Sequence, residues 1–258
     1  MSRTVADEIS SVPWYHTIEL PGGEATPGYF DLRSIRAKVK IPDLTGKRCL
    51  DVGSSNGYWA FEMEKCGASE VVSLDLDDKS KEDWAVGLSG TEHPVGISVR
   101  GFEIAKRHLD SKVERFDASI YDITPELVGE YDFVFIGSLL LHLRDPIGGL
   151  TALRSVCRGE LFSLDGVSPW LTAAHPRQAV YGMWATEWQQ WFLPNRAGRR
   201  RMLEVAGFTV SERGPLLHQR LGAGYKRPSL RRLRSPRTMA LALYHDRVGV
   251  PSDWYRAR

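Results

Sequence analysis

Cysteine is scarce. Cys49, Cys66 and Cys157 are the only three, far apart and odd in number. That set offers neither metal-ligand spacing nor a disulfide framework, so no metal is expected, and a reducing cytoplasm is the expected compartment. Long hydrophobic runs are missing as well. No stretch approaches the ~18 apolar residues of a membrane span. The opening Met-Ser-Arg-Thr-Val-Ala-Asp-Glu-Ile lacks the apolar centre of a secretory signal. An excess of one charge is also absent: the formal net charge is +2. Bulk charge alone therefore does not point to nucleic acid. Repeats and low-complexity tracts are not found.

What remains is a chain of 258 residues, 42% apolar, with eight tryptophans. This length suits one large α/β domain, or one domain with an insertion. Tryptophan is costly to leave in water, so the core or a pocket is expected to be aromatic.

From residue 48 onward, strand-length apolar runs alternate with helical patterns. Arg48–Val52, Val71–Asp75, Lys112–Ile120, Tyr131–Ser138, Glu160–Asp165, Phe208–Glu212 and Thr238–His245 read as strands. Tyr58–Cys66, Gly101–Leu109, Pro146–Cys157 and Asn195–Ala206 read as helices, the last capped by Asn195 and stopped by Gly207. Alternation of this kind predicts a Rossmann-like, doubly wound, mostly parallel sheet of seven strands, the last antiparallel. Residues 1–43 precede it as an N-terminal cap segment, and residues 44–258 form the domain. An aromatic insertion, residues 166–194, interrupts the alternation. Such insertions usually cover the sheet edge where ligands bind.

Asp51-x-Gly53-x-Ser55-x-Gly57 follows the first strand and opens a helix. Glycines there admit a ligand close to backbone, and the helix start offers free N–H groups. A dinucleotide fingerprint needs Gly-x-Gly-x-x-Gly, which Ser55 and Tyr58 break. The pattern instead resembles the Asp-x-Gly-x-Gly-x-Gly loop of S-adenosylmethionine-dependent methyltransferases at three of its four positions. Asp75 ends the second strand, where an acid hydrogen-bonds ribose hydroxyls in nucleoside-binding folds. The fourth strand delivers Gly137 and Ser138 to the same edge, and His142 follows at once. Histidine suits a general base near neutral pH. His142 is thus the candidate catalytic residue, or else a structural histidine bound to backbone.

Larger pieces carry a family resemblance: Pro13-Trp-Tyr-His16, Gly23-x-x-Thr26, residues 43–53, Tyr131–Pro146, and Trp191–Asn195 with Ala206–Phe208. Together they resemble the tRNA 5-carboxymethoxyuridine-34 methyltransferase-like family, over about three quarters of the chain. The resemblance implies a class I methyltransferase using S-adenosyl-L-methionine. It implies that Arg33 approaches the methionine end and that Gly53 lies under the ligand. Asp75, Leu76 and Asp77 would hold the ribose and adenine edge, Ile120 and Tyr121 would flank the adenine, and Gly137 would sit near the sulfur. The wobble-uridine enzyme of that family uses a carboxylated cofactor, gripped by a Lys and a Tyr. Those positions fall at His16 and Leu141 here, so plain S-adenosylmethionine is expected.

Trp184, Trp188 and Trp191 recur at helical spacing, as either a core stripe or an aromatic lid over a flat acceptor. With His16 they form the expected substrate side. The basic run Arg220–Arg237 reads as a solvated loop or an RNA phosphate contact. The expected activity is methyl transfer to a small organic acceptor at oxygen, as in secondary metabolism. The alternatives are tRNA wobble-uridine modification and a non-catalytic S-adenosylmethionine-binding or RNA-binding protein. The oligomeric state is not legible.

Overall fold

The computed structural model describes residues 4–83, 99–183, 190–226 and 236–258. Among them are the strands β1 (Phe30–Asp31), β2 (Arg48–Val52), β3 (Glu70–Asp75), β4 (Glu114–Asp117), β5 (Tyr131–Gly137) and β6 (Cys157–Gly166). They continue as β7 (Tyr181–Met183), β8 (Phe192–Pro194), β9 (Val210–Arg213), β10 (Leu217–Leu221) and β11 (Val250–Ala257). Nine strands form one sheet in the order β1-β10-β11-β6-β5-β2-β3-β4, with β9 also pairing to β11. The stretch β6-β5-β2-β3-β4 is parallel, and β11 joins it antiparallel. β7 and β8 make a separate antiparallel ribbon.

β2 and β5 are covered on both faces, so burial runs along them without alternation, Cys49–Val52 and Phe133–Ile136 all being buried. Phe133 and Phe135 point to one face, Val134 and Ile136 to the other. On the first face Trp59, Phe135, Phe162 and Trp254 stack in series, with ring centroids 4.5, 5.6 and 5.2 Å apart. Trp14, Ile18, Leu32 and Ile35 of the N-terminal segment join the same core. The other face packs helices Pro146–Val156 and Arg196–Val205 through Leu150, Leu153 and Leu203. Each such side chain contributes about 1.5–3 kcal/mol on burial.

The mostly parallel, doubly wound sheet agrees with the expectation, but its antiparallel edge is larger. Thr238–His245, expected as a strand, lies within a helix, Pro236–Arg247. Met239-Ala-Leu-Ala-Leu243 is built of strong helix formers, although its short apolar run has the length of a buried strand. β11 and β10 take up the edge instead, and neither was anticipated. The expected strand Lys112–Ile120 shortens to β4, leaving Ile120 and Tyr121 on the loop beyond it. Within the insertion, Trp191 does not lie on a helix; it immediately precedes β8. Trp184 and Trp188 fall outside the described residues.

Candidate cofactor and acceptor site

Strand order reverses between β2 and β5, the place where open α/β sheets bind ligands at their C-terminal edge. The glycine loop leaves β2 there. Gly53 has φ +72° and Gly57 +88°, left-handed values that glycine adopts without strain. A Cβ on Gly53 would fall 2.9 Å from the Leu139 side chain, and one on Gly57 2.7 Å from Phe102. The loop is therefore a tight cradle with room for backbone only. Ser55 also takes a left-handed conformation. Gly57 caps helix Tyr58–Lys65 without a side-chain bond.

Two carboxylates shape this loop from below. Asp51 is buried and accepts the Ala60 amide at 3.0 Å. Burial pushes its pKa up to about 7, against the pull of the Ser54 hydroxyl and Ala60 amide. Its role here is to seat the helix on β2. Asp75 ends β3 and accepts the Ser55 amide at 2.5 Å and the Leu76 amide at 2.7 Å. Burial raises its pKa too, opposed by the Arg115 charge.

Arg115 escaped the sequence reading. Its side chain is 7% exposed and pairs with Asp77 at 2.8 Å. It also donates to the carbonyls of Ser55 and Leu76 at 3.2 and 3.4 Å. The loop, Leu76 and Asp77 are thus fastened through one guanidinium. An arginine on a short strand carries no local pattern that announces this. Ile120 is buried beside Gly149. Tyr121 donates its hydroxyl to Asp83 at 2.8 Å.

On the other side of the cradle, β5 ends at Gly137. Ser138 has φ +52°, an unusual state for a non-glycine residue, and its hydroxyl meets the Gln219 amide at 2.8 Å. The turn Leu140–His142 follows. Its Leu140 amide donates to Asp165 at 2.8 Å, and Asp165 is buried at the end of β6. His142 is half-buried on this turn. The Trp191 amide donates to the Leu141 carbonyl at 2.7 Å, so the insertion does reach the turn. The Trp191 indole donates to the Asp83 carbonyl and lies under the Arg144 guanidinium, 5.0 Å from it. Asn195, fully buried, binds His175, Gln178, Val180 and Gly198 and so ties the middle of the insertion to the start of helix Arg196–Val205.

The N-terminal segment forms the third wall. Tyr15 donates its amide to Asn56 Oδ1 of the loop at 2.6 Å. His16 is buried, its ring 5.7 Å from that of Tyr58. Burial drives its pKa down to about 3, so the ring is neutral. Leu141 is buried as well. Arg33 opens the short helix Arg33–Arg36 of this segment. Its guanidinium, however, is engaged by Asp31 and Glu19, each at 2.6 Å, and is about half exposed.

No family model matches the chain. In sequence it is similar to the tRNA U34 carboxymethyltransferase of Geobacter sp. (strain M21), 29% identical over 175 residues, covering 66% of this chain and 47% of that protein. The protein of the same name from Ectopseudomonas mendocina is 31% identical over 173 residues, covering 64% and 46%. The chain thus spans about half the length of the curated relatives it matches. Among solved structures, an S-adenosylmethionine-dependent methyltransferase from Mesorhizobium loti superposes with a TM-score of 0.51 at 16% identity, over 87% of this chain and 95% of that one. The chain thus shares the fold of that methyltransferase, and in sequence it resembles the tRNA U34 carboxymethyltransferases.

Proposed function

We propose that the chain binds S-adenosyl-L-methionine on the Gly53–Gly57 loop and catalyses transfer of its methyl group. The observation that carries this reading is Asp75. It ends β3 beside the strand-order reversal, with both carboxylate oxygens fixed by the loop and by Leu76. The fit is physical: a glycine cradle without Cβ atoms, a helix start without a side-chain cap, and an acid placed for ribose hydroxyls. When bound, the cofactor supplies an electrophilic sulfonium methyl. Gly53, Ser55 and Gly57 would receive its methionine portion, Asp75, Leu76 and Asp77 its ribose, and Ile120 and Tyr121 its adenine. Asp51 and Arg115 keep these residues in place. His142 would accept the acceptor's proton, on a turn held by Asp165. Neutral His16 and apolar Leu141 favour the plain cofactor over the carboxylated one.

For the acceptor, the names of the curated relatives support tRNA ahead of the small molecule expected from sequence. A charge feature supports the same order. Between Glu212 and Asp246 the chain has no acidic residue but eight Lys or Arg. β10 runs in the direction of β6, so its end, Leu221, feeds this stretch at the cradle's edge of the sheet. The loop beyond is tied down by Gly222 and Gly224 amides on Tyr29 and Gly28. A small flat acceptor is the second reading, supported by the Trp191–Arg144 pair beside the turn. The test is transfer of labelled methyl from S-adenosylmethionine to unmodified tRNA. Label in anticodon fragments supports the first reading. Label confined to small phenols or acids supports the second, and no transfer to any acceptor leaves the protein as a binder only.

A further inference from the structure

A cavity of about 620 Å³ opens along β10, between the N-terminal segment and the end of helix Pro236–Arg247. Among the described residues its wall carries Arg33, Lys38, Arg220 and Arg247, together with His218 and a single carboxylate, Asp31. The local fold fixes each of them. Asp31 and Arg220 are partners in the β1–β10 register. Lys38 follows helix Arg33–Arg36, its amide bonded to the carbonyl of buried Ile35 at 2.9 Å. His218 Nε2 lies 2.7 Å from the Tyr244 hydroxyl and so ties β10 to helix Pro236–Arg247. Just past that helix Gly249, at φ +106°, closes on β10, where a Cβ would fall 2.5 Å from the Gln219 carbonyl oxygen. Arg247 is thereby held at the wall.

The charges around this cavity do not balance. Both Asp31 oxygens are taken by Arg33, at 2.9 and 2.6 Å. Among the described residues no carboxylate forms an ion pair with Lys38, Arg220 or Arg247, and all three are exposed. Unmatched cations on one concave wall repel one another, and their summed field draws an anion. Two of them are arginines, whose guanidinium forks fit phosphate oxygens two at a time, while Lys38 adds a point charge. Apart from the His218 imidazole, the described wall holds no ring on which a base could stack. Such a wall contacts phosphates and leaves bases unread. A lone phosphate ion is typically held by converging backbone amides. Long exposed side chains from separate elements instead suit a polyanion that releases counterions along its length. Arg220 also belongs to the acid-free stretch after Glu212, so the cavity continues that basic surface onto the N-terminal segment. β11 and β6 separate β10 from β5, three strand steps or roughly 14 Å. At about 3.4 Å of strand per phosphate, about four nucleotides cover that distance.

We propose that this cavity is an RNA contact, in which Lys38, Arg220 and Arg247 hold backbone phosphates of the acceptor while its target nucleotide lies at the cradle. The inference rests on the RNA reading of the acceptor above and adds the residues that grip the strand. Contacts of this kind set where the RNA lies and carry no sequence information. Each phosphate that a cation neutralises releases counterions, so each cation contributes its own share of the salt dependence.

The test is binding of fluorescently labelled, unmodified tRNA across a salt series to wild type, Lys38→Ala and Arg247→Ala, with melting temperatures, S-adenosylhomocysteine affinity and methyl transfer on the same samples. Lys112→Ala is the control: Lys112 is an exposed cation just before β4, at the end of the sheet opposite β1. Lys38→Ala and Arg247→Ala should each weaken RNA binding about three- to tenfold at low salt and each lower the salt slope by about 0.7–0.9. Lys112→Ala should stay within about twofold of wild type, as expected of bulk charge alone. Melting temperature and S-adenosylhomocysteine affinity should be unchanged in all three. Lys38→Gln and Arg247→Gln serve if an alanine variant melts early. A wild-type salt slope in both folded variants overturns the contact, and so does equal weakening by Lys112→Ala. Displacement of the RNA by inorganic pyrophosphate at constant ionic strength makes the cavity a small-anion site and overturns the RNA assignment. Methyl transfer to tRNA with unchanged KM in both variants overturns the contact and leaves the acceptor reading standing. Weakened binding in both variants without any transfer by wild type supports the contact and overturns the acceptor reading.

Discussion

The Asp165 carboxylate accepts the Leu140 amide at 2.8 Å, so the end of β6 holds the turn that follows β5. That turn carries His142, and the bond fixes where the imidazole stands relative to the cradle. Asp165 also accepts the Gly166 amide at 2.7 Å, and the nearby Arg199 charge offsets part of its burial.

His142→Ala is expected to lower turnover by ~10²–10⁴ if the acceptor is a hydroxyl. S-adenosylhomocysteine affinity should be nearly unchanged. Turnover and melting temperature measured together decide the matter. A stable variant with near-normal turnover removes His142 from the chemistry and leaves positioning as the source of rate.

Asp51 predicts a pH signature. Its pKa is raised from the ordinary carboxylate range to about 7 in the folded chain. The folded state therefore holds a proton that the unfolded state has released. Between about pH 4 and pH 7 this group makes stability fall as pH rises, with no further change above. Asp51→Asn removes the ionisation while its side-chain oxygen can still accept from Ala60. In the absence of ligand, denaturation should show a flatter profile for the variant over that window and a gain at pH 8 of no more than about 4 kcal/mol. A variant profile parallel to wild type would show that Asp51 is ionised throughout.

Neutral His16 and buried Leu141 predict a preference between cofactors. In competition, S-adenosylmethionine should displace its carboxylated form, whose extra charge would meet no cation from either residue. Tighter binding of the carboxylated form would contradict this and align the chain with its carboxymethylating relatives.

If tRNA is the acceptor, its binding should follow the acid-free basic stretch. Affinity should fall about ten- to hundredfold between 50 and 200 mM salt, a few phosphate contacts' worth. Replacing Arg220 and Lys226 with Glu should lessen that slope. Salt-insensitive binding, or none at low salt, favours the small acceptor.

Much of the fold was legible because its signals are local. β2, β5 and helix Arg196–Val205 each carry their own period, cap or glycine stop. The antiparallel edge was not, because β10 and β11 are mixed in polarity and gain their strand character from pairing with distant neighbours. The same division holds at the site. Asp75 and the loop glycines stand in a recognisable spacing. Arg115 acts through contacts 38 to 60 residues away in sequence, Tyr15 through one 41 away and Asp165 through one 25 away. No window of sequence contains such pairs. Arg33 shows the converse: the resemblance points it toward the ligand, while Asp31 and Glu19 hold its guanidinium.

If the Gly53–Gly57 loop with Asp75 is a site for S-adenosylmethionine, the demethylated product must bind there too. Calorimetric titration of the wild-type chain with S-adenosylhomocysteine, repeated on Asp75→Ala, tests it most directly. One site per chain with micromolar affinity, about −8 kcal/mol, is expected. The variant should lose roughly 1–3 kcal/mol, because the ribose hydroxyls and the Ser55 amide lose their acceptor. No heat of binding to the folded wild-type chain, or identical affinity in the two proteins, would contradict it.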